Sequence, residues 1–83
     1  MNKVLIIVYV PYIEKTYEVF VPISKRIHTI VALLAKAINE LTAEEFKIKS
    51  DYILYDKRTG KTYDFNITVK ESELRNGSEV ILI

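Results

Sequence analysis

The sequence predicts a small α+β protein in which one amphipathic helix covers one face of a mixed β-sheet. Two strongly apolar runs, residues 4–10 and 80–83, stand near the two ends of the chain, and a single long helical pattern lies between them. Runs that are apolar on both sides suit strands inside a sheet, so we place these two side by side and parallel at its centre. The helix is the one element long enough to cover that sheet.

The first two elements are predicted to form an antiparallel hairpin. Residues 3–10, KVLIIVYV, are rich in Val, Ile and Tyr, which is typical of a strand. Residues 16–21, TYEVFV, alternate in character, which predicts a second strand with two different faces. Pro22 ends that strand because its ring nitrogen has no hydrogen to donate to a neighbouring strand. About five residues are left to connect the two strands.

The helix is predicted from apolar residues that recur at spacings of three and four. Ser24 and Thr29 are both residue types that cap helix starts, so its first turn has two possible positions. The predicted buried stripe consists of Ile27, Ile30, Leu33, Leu34, Ala37, Ile38 and Leu41.

Short elements are predicted in the second half of the chain. Residues 42–45, TAEE, form a capping-box pattern that predicts an extra helical turn carrying Phe46. Residues 51–56, DYILYD, predict a third strand, and residues 61–64 a short fourth one.

A second capping-box pattern, residues 68–71, predicts one helical turn that buries Val69 and Leu74. Asn76 and Gly77 form a turn signal directly before the last strand. We therefore expect one domain over residues 1–83.

Composition argues against several classes of function. Twelve basic residues against 11 acidic ones give a net charge of +1, which is no footprint for nucleic acid. With no Cys and one His we expect neither a metal site nor a cofactor. His28 has no nucleophile near it in sequence, so we expect no enzyme and no catalytic residue.

The amino-terminal apolar run, Val4–Val10, differs from a signal peptide. Pro11, Tyr12 and Glu14 follow it where a cleavage site would need small residues. It is also shorter than the roughly 20 apolar residues that span a membrane. We therefore expect a cytoplasmic protein without direct membrane insertion.

The ordered set of elements resembles the ubiquitin-like proteins, which have the β-grasp fold. The resemblance covers nearly the whole chain and rests on the hairpin, the "VP" at residues 21–22 before the helix, "YILYDKRTGKTY" at 52–63 and "LRNGSEVILI" at 74–83. It implies a mixed four- to five-stranded sheet with the helix packed on one face.

Within that superfamily the chain is most similar to the bacterial YukD-like branch. Those proteins have about this length and a similar "VP" before the helix, and they stop at the last strand. The resemblance implies an accessory or regulatory cytoplasmic role in a type VII secretion system of Gram-positive bacteria. It carries over no catalytic residue.

Conjugated ubiquitin-like proteins and sulfur carriers need a flexible tail that ends in Gly-Gly. The sequence ends instead on Ile83, within its apolar strand. We therefore expect non-covalent protein binding. Three alternatives remain open: a generic ubiquitin-like adaptor or homodimer unrelated to secretion, a sulfur carrier or conjugated modifier, and a nucleic-acid-binding β-grasp module.

The face of the sheet without a helix is the candidate interaction surface. In a ubiquitin-like arrangement Val80 and Leu82 meet the helix, and the intervening side chains point away from it. The first strand is apolar on both faces, so its parity stays open. Exposed aliphatic patches mark partner sites or dimer interfaces. The residues predicted for this surface are Leu54, Ile81, Ile83, Leu5 and Ile7.

Overall fold

A computed structural model describes residues 2–49 and 51–83. In these residues four strands form one mixed sheet, ordered β2-β1-β4-β3, with one α-helix and a short 3-10 helix, Pro11–Ile13, between β1 and β2. Strand β1 pairs antiparallel with β2 and parallel with β4, and β3 pairs antiparallel with β4. The predicted β-grasp arrangement is confirmed. The elements are β1 Lys3–Val10, β2 Lys15–Pro22, α1 Ile27–Leu41, β3 Leu54–Asp56 and β4 Ser78–Leu82.

Helix α1 starts without a side-chain cap. Arg26 occupies the N-cap position and makes no side-chain bond to the helix, so neither Ser24 nor Thr29 has the predicted role. Backbone carbonyls from later in the chain replace the cap. The N–H of Ile27 donates to the carbonyl of Ile67 at 2.9 Å, and the N–H of His28 to that of Phe65 at 3.2 Å. The helix start is thereby joined to the segment before β4, which no local pattern could reveal.

The buried stripe of α1 is rotated from the predicted one. Leu33 and Leu41 keep 50% and 70% of their surface exposed, and Ala37 is exposed as well, so their placement in the core is wrong. Val31 and Ala35 are buried instead, and the series that packs keeps the spacing of three and four from Ile27 onward. The buried residues are Ile27, Ile30, Val31, Leu34, Ala35 and Ile38.

Thr42 ends the helix, and the short helical turn predicted after it does not form. Its hydroxyl donates to the carbonyl of Ile38 at 2.8 Å and accepts the N–H of Phe46 at 3.1 Å. Ala43 and Glu44 both adopt positive φ, which no helix continues through. Phe46 is fully buried as a result, and its ring stacks on Tyr52 with centroids 4.8 Å apart.

The segment after β3 folds back as a turn. The predicted strand at residues 61–64 reduces to one isolated bridge between Tyr55 and Thr62. The carboxylate of Asp56 accepts the N–H of Arg58 at 2.8 Å, and Gly60 completes the turn at φ 74°. An Asx-type turn of this kind needs a residue that tolerates positive φ, which glycine supplies.

The capping box at residues 68–71 is confirmed. The N–H of Thr68 donates to the carboxylate of Glu71 at 2.9 Å, and the N–H of Glu71 donates back to the Thr68 hydroxyl at 3.2 Å. This single turn brings Val69 and Leu74 into the core, as predicted. In the described part of the chain, α1 is too short to cross a membrane and no other helix is long and apolar enough.

Candidate protein-interaction surface

The sheet face opposite α1 carries a set of aliphatic and aromatic side chains, which we call the open face. Its centre is Ile81, which lies in register between Tyr9 of β1 and Tyr55 of β3. Neighbouring strands lie about 4.8 Å apart, so the three side chains are contiguous. The open face consists of Leu5, Ile7, Tyr9, Phe20, Ile53, Tyr55, Ile81 and Ile83.

Alternation along β4 assigns its side chains to the two faces. Val80 and Leu82 are buried under α1, as expected, whereas Ile81 is half-buried and Ile83 is 55% exposed. Strand pairing continues to the last residue, because Ile83 and Ile53 exchange backbone hydrogen bonds of 2.8 and 3.1 Å. Ile81 and Ile83 therefore lie on the open face. Their role in binding stays a prediction.

The structure shows which side chains of β1 face the core, a choice that the sequence leaves open. The fully buried side chains are those of Ile6, Val8 and Val10. Leu5 and Ile7 are half-buried and point to the other side, as predicted for the interaction surface. Their role in binding stays a prediction too.

Leu54 is the residue whose placement on the open face is wrong. Its side chain is fully buried, and it pairs directly with Leu82, which faces α1. Residues directly opposite in adjacent strands share a face, so Leu54 belongs to the core. Tyr55, the next residue, takes the place on the open face. The strict alternation of a strand could have identified Tyr55 once the pairing with β4 was known.

The aromatic residues divide between the open face and the core. Tyr9 and Tyr55 border Ile81. Tyr52 and Tyr63 lie against the core: Tyr52 is buried on Phe46, and Tyr63 packs as a half-buried side chain. Phe20 of β2, not predicted as an interface residue, is 61% exposed next to Leu5.

Charged residues surround the aliphatic centre. Glu18 of β2 and Glu79 of β4 lie in register on either side of Ile7, and both are exposed. The ammonium group of Lys57 lies 5.8 Å from the centroid of the Tyr9 ring. An apolar centre with a charged border is the usual composition of a protein-binding surface.

A turn fixes the start of β4 beside β1 at the edge of the open face. The side-chain oxygen of Asn76 accepts the N–H of Leu5 at 2.7 Å, and the N–H of Gly77 donates to the Leu5 carbonyl at 2.8 Å. Gly77 has φ 86°, a conformation that favours glycine. These bonds extend the parallel pairing of β1 and β4 and hold the central strands in register.

Two of the groups with shifted pKa values, Tyr63 and Glu71, owe the shifts to burial and to hydrogen bonds that support the fold. Burial, with the nearby Asp56 carboxylate, raises the pKa of Tyr63 to about 12. Hydrogen bonds from Thr68 lower the pKa of Glu71. Neither group faces a nucleophile or a cluster of ligands. Across residues 2–49 and 51–83, no three His, Cys, Asp or Glu side chains are placed to hold a metal ion.

Comparison with known families finds no family model that matches the chain, and no curated protein matches it either. Solved structures do match. A chain of the MycP5-free ESX-5 inner membrane complex superposes with a TM-score of 0.83 at 13% identity, over all of this chain and 21% of that one. The ubiquitin-like domain of EccD5 from Mycobacterium xenopi superposes at 0.80 with 17% identity, over 100% and 94%.

A third match comes from a different context. A chain of the toluene 4-monooxygenase HD complex superposes at 0.70 with 10% identity, over 96% of this chain and 95% of that one. The present chain spans about a fifth of the ESX-5 chain that it matches. At these identities the likeness defines the fold, and it assigns this protein to the ubiquitin-like fold class.

Proposed function

We propose that this protein is a non-catalytic ubiquitin-like protein that binds another protein through its open face, as an accessory or regulatory component of a type VII secretion system. The observation that carries the proposal is the row Tyr9–Ile81–Tyr55, an aliphatic residue between two half-buried aromatic rings on the uncovered side of the sheet. Tyrosine provides contact area with little conformational freedom to lose, which suits an interface centre.

Two of the similar structures support the secretion context. One is part of an ESX-5 inner membrane complex, and another is the ubiquitin-like domain of EccD5, with TM-scores of 0.83 and 0.80. The toluene 4-monooxygenase chain shares the fold in a different context, so the fold alone does not imply a role in secretion. The second candidate function is therefore an adaptor or homodimer that uses the same surface outside secretion. The two candidate functions share the site and differ in partner and context, so the surface and the context need separate experiments.

The surface is tested with Ile81→Asp in a pull-down from the native host, with partners identified by mass spectrometry. Ile81 is partly exposed, so the fold is expected to persist while the buried aliphatic contact with the partner is lost. Lys36→Asp on the exposed side of α1 is the matched control and should retain the partner. Unchanged capture by Ile81→Asp in a folded protein would refute the open face as the site.

The context is tested by deleting the gene in its host and measuring export of the small helical-hairpin substrates of type VII secretion. We expect export to fall and to be restored by the wild-type gene but not by Ile81→Asp. Normal export after deletion, together with retained partner capture, would favour the adaptor. Concentration-dependent sedimentation of the purified protein, abolished by Ile81→Asp, would favour the homodimer.

A further inference from the structure

A cavity of about 490 Å³ lies between one flank of α1 and the segment that connects this helix to β3. Its volume falls within the range of about 300–1,000 Å³ that is usual for small-molecule sites. It shares no residue with the open face. We call it the helix-flank cavity. The residues of the helix and of the connecting segment that line it are Val31, Ala32, Ala35, Ile48, Lys49 and Tyr52.

Short side chains on the flank of α1 leave room for the cavity. Val31 and Ala35 are buried and form its floor, whereas Ala32 is exposed. Residues three or four positions apart lie on the same flank of a helix, so the three side chains form one apolar strip. A longer side chain at position 32 would therefore occupy part of the cavity.

The opposite wall is formed by Tyr52, which its neighbours hold in place. Its ring stacks on Phe46 with centroids 4.8 Å apart, and its hydroxyl donates to the carbonyl of Lys47. Phe46 is joined to the end of the helix, because the side-chain amide of Asn39 donates to its carbonyl at 2.7 Å. Contacts within the chain therefore hold both walls of the cavity, as is usual for a small-molecule site.

The charged or titratable groups that line the cavity are basic ones. The ammonium group of Lys49 lies 4.9 Å from the centroid of the Tyr52 ring, and the exposed imidazole of His28 also lines the cavity. The imidazole Nδ1 is 3.4 Å from the Thr29 hydroxyl, which leaves Nε2 for another partner. Asp51 contacts Lys49 at 3.9 Å, but both side chains are mostly exposed, so this ion pair is weak. Among the described residues, no Asp or Glu side chain belongs to the lining.

The lining determines which class of ligand the cavity can take. Apolar walls favour a hydrocarbon chain, which would also cover Ile48, whose surface is 57% exposed. The ammonium group of Lys49 favours an anionic group at one end of that chain. A stable protein interface buries about 800 Å² on each partner, more than a single cavity of about 490 Å³ can offer. The occupant is therefore a small molecule.

We propose that the helix-flank cavity binds a small amphiphile, a molecule with a short hydrocarbon chain and one anionic head. The hydrocarbon chain lies against Val31, Ala35 and Tyr52. The head pairs with the ammonium group of Lys49 in place of Asp51. Because the cavity is separate from the open face, the amphiphile and a protein partner can be bound at the same time.

The probe is sodium octanoate, titrated into the intact protein and followed by NMR. We expect chemical-shift changes at the methyl groups of Val31, Ala35 and Ile48 and at the ring of Tyr52. Affinity should rise from butanoate through hexanoate to octanoate by about two- to fourfold for each added methylene, and the upper value corresponds to about 0.8 kcal/mol. An affinity that does not depend on chain length would contradict the burial of the hydrocarbon.

Filling the cavity tests where the hydrocarbon chain lies. Ala32→Leu should weaken octanoate binding by about tenfold, or roughly 1.4 kcal/mol. Ala37→Leu makes the same change at an exposed position of α1 that does not line the cavity, and it should bind octanoate as the wild type does. Leucine is a good helix former, so both variants should fold, and circular dichroism verifies this.

Charge variants test where the anionic head lies. Lys49→Gln should weaken octanoate binding by about threefold, the effect of one exposed ion pair, and should leave the binding of octan-1-ol unchanged. Asp51→Asn should strengthen octanoate binding by a similar factor, because the ammonium group loses its competing partner. Lys36→Gln removes a charge from an exposed position of α1 outside the cavity and is the matched control.

Three results would overturn the inference. One is the absence of octanoate binding, or binding that Ala32→Leu or Lys49→Gln leaves unchanged. Another is an equal loss of octanoate and octan-1-ol affinity in Lys49→Gln, since the cavity would then not recognise an anion. The third is a set of chemical-shift changes centred on Ile81 that Ile81→Asp abolishes, which would move octanoate to the open face and leave the proposed function intact.

Discussion

Both faces of the sheet carry aliphatic residues, but these residues lie in opposite environments. On the covered face Val8, Leu54 and Leu82 are almost completely buried beneath α1. On the open face Ile7 and Ile81 are equally aliphatic, yet part of each side chain remains exposed. Hydrophobicity therefore does not determine which face is the core. The register between strands and the position of helix α1 determine it, and the apolar surface that α1 leaves uncovered is the surface proposed for binding.

The largest expected difference between the faces lies in core truncation. Leu54→Ala should lower the free energy of unfolding by about 2–5 kcal/mol, because it leaves a cavity opposite Leu82. Ile7→Ala on the open face should cost less than about 1.5 kcal/mol, since solvent can fill the space. Urea denaturation measures both. Equal losses for the two variants would mean that the open face is covered in solution.

Helix α1 offers the same comparison between two adjacent leucines. Leu34→Ala should also cost about 2–5 kcal/mol, because Leu34 is buried against the sheet. Leu33→Ala should stay within about 0.5 kcal/mol of the wild type, since Leu33 is half-exposed. Urea denaturation measures the loss for each of these two variants. A loss for Leu33→Ala as large as that for Leu34→Ala would contradict the orientation of the helix.

Thr68 affects the covered face indirectly, through the turn that places Val69 and Leu74 in the core. Thr68→Ala should cost about 0.5–2 kcal/mol at neutral pH, the usual range for loss of an N-cap. Thr68 lowers the pKa of Glu71, so the stability from that carboxylate is present above its ordinary pKa of 4.5 and is lost as pH falls. The effect of Thr68→Ala should therefore shrink in acid. Thermal unfolding at several pH values measures it, and Ser in place of Thr is the matched control.

The smallest effect concerns Tyr63, which packs against the core from the segment after β3. Its pKa of about 12 exceeds the ordinary 10.0, so burial favours the neutral phenol in the folded state. The resulting stability is complete below pH 10 and is lost as pH rises from there through about 12. Tyr63→Phe should therefore lose less stability than the wild type over that range. Parallel pH profiles of the two proteins would contradict this assignment.

The sequence predicts β1, β2 and β4, the parallel central pair and the faces of β2 and β4, because these follow from local alternation and from the pattern of elements. It fails for the strand expected at residues 61–64, which reduces to one bridge, and it predicts β3 longer than Leu54–Asp56. It fails for Leu54, since the partner of a short strand depends on the lengths of the turns that precede and follow it. Parity within a strand is a local property, but the register between β3 and β4 is not.

The helix illustrates the same limit. Two overlapping apolar series satisfy the spacing of α1, one starting at Ile27 and one at Ile30, and both contain Ile30, Leu34 and Ile38. The sheet selects the first, in which Val31 and Ala35 meet the segment around Tyr52. The helix start is equally non-local, because carbonyls of Phe65 and Ile67 replace the expected cap.

Adjacent residues of β4 serve different faces of the sheet, because Leu82 belongs to the core and Ile81 to the open face. The most direct measurement compares Ile81→Asp with Leu82→Asp by urea denaturation and by partner capture. We predict that Leu82→Asp unfolds the protein, because a charge buried under α1 has no partner, whereas Ile81→Asp remains folded and loses the captured protein. A folded Leu82→Asp, or an unfolded Ile81→Asp, would contradict the claim.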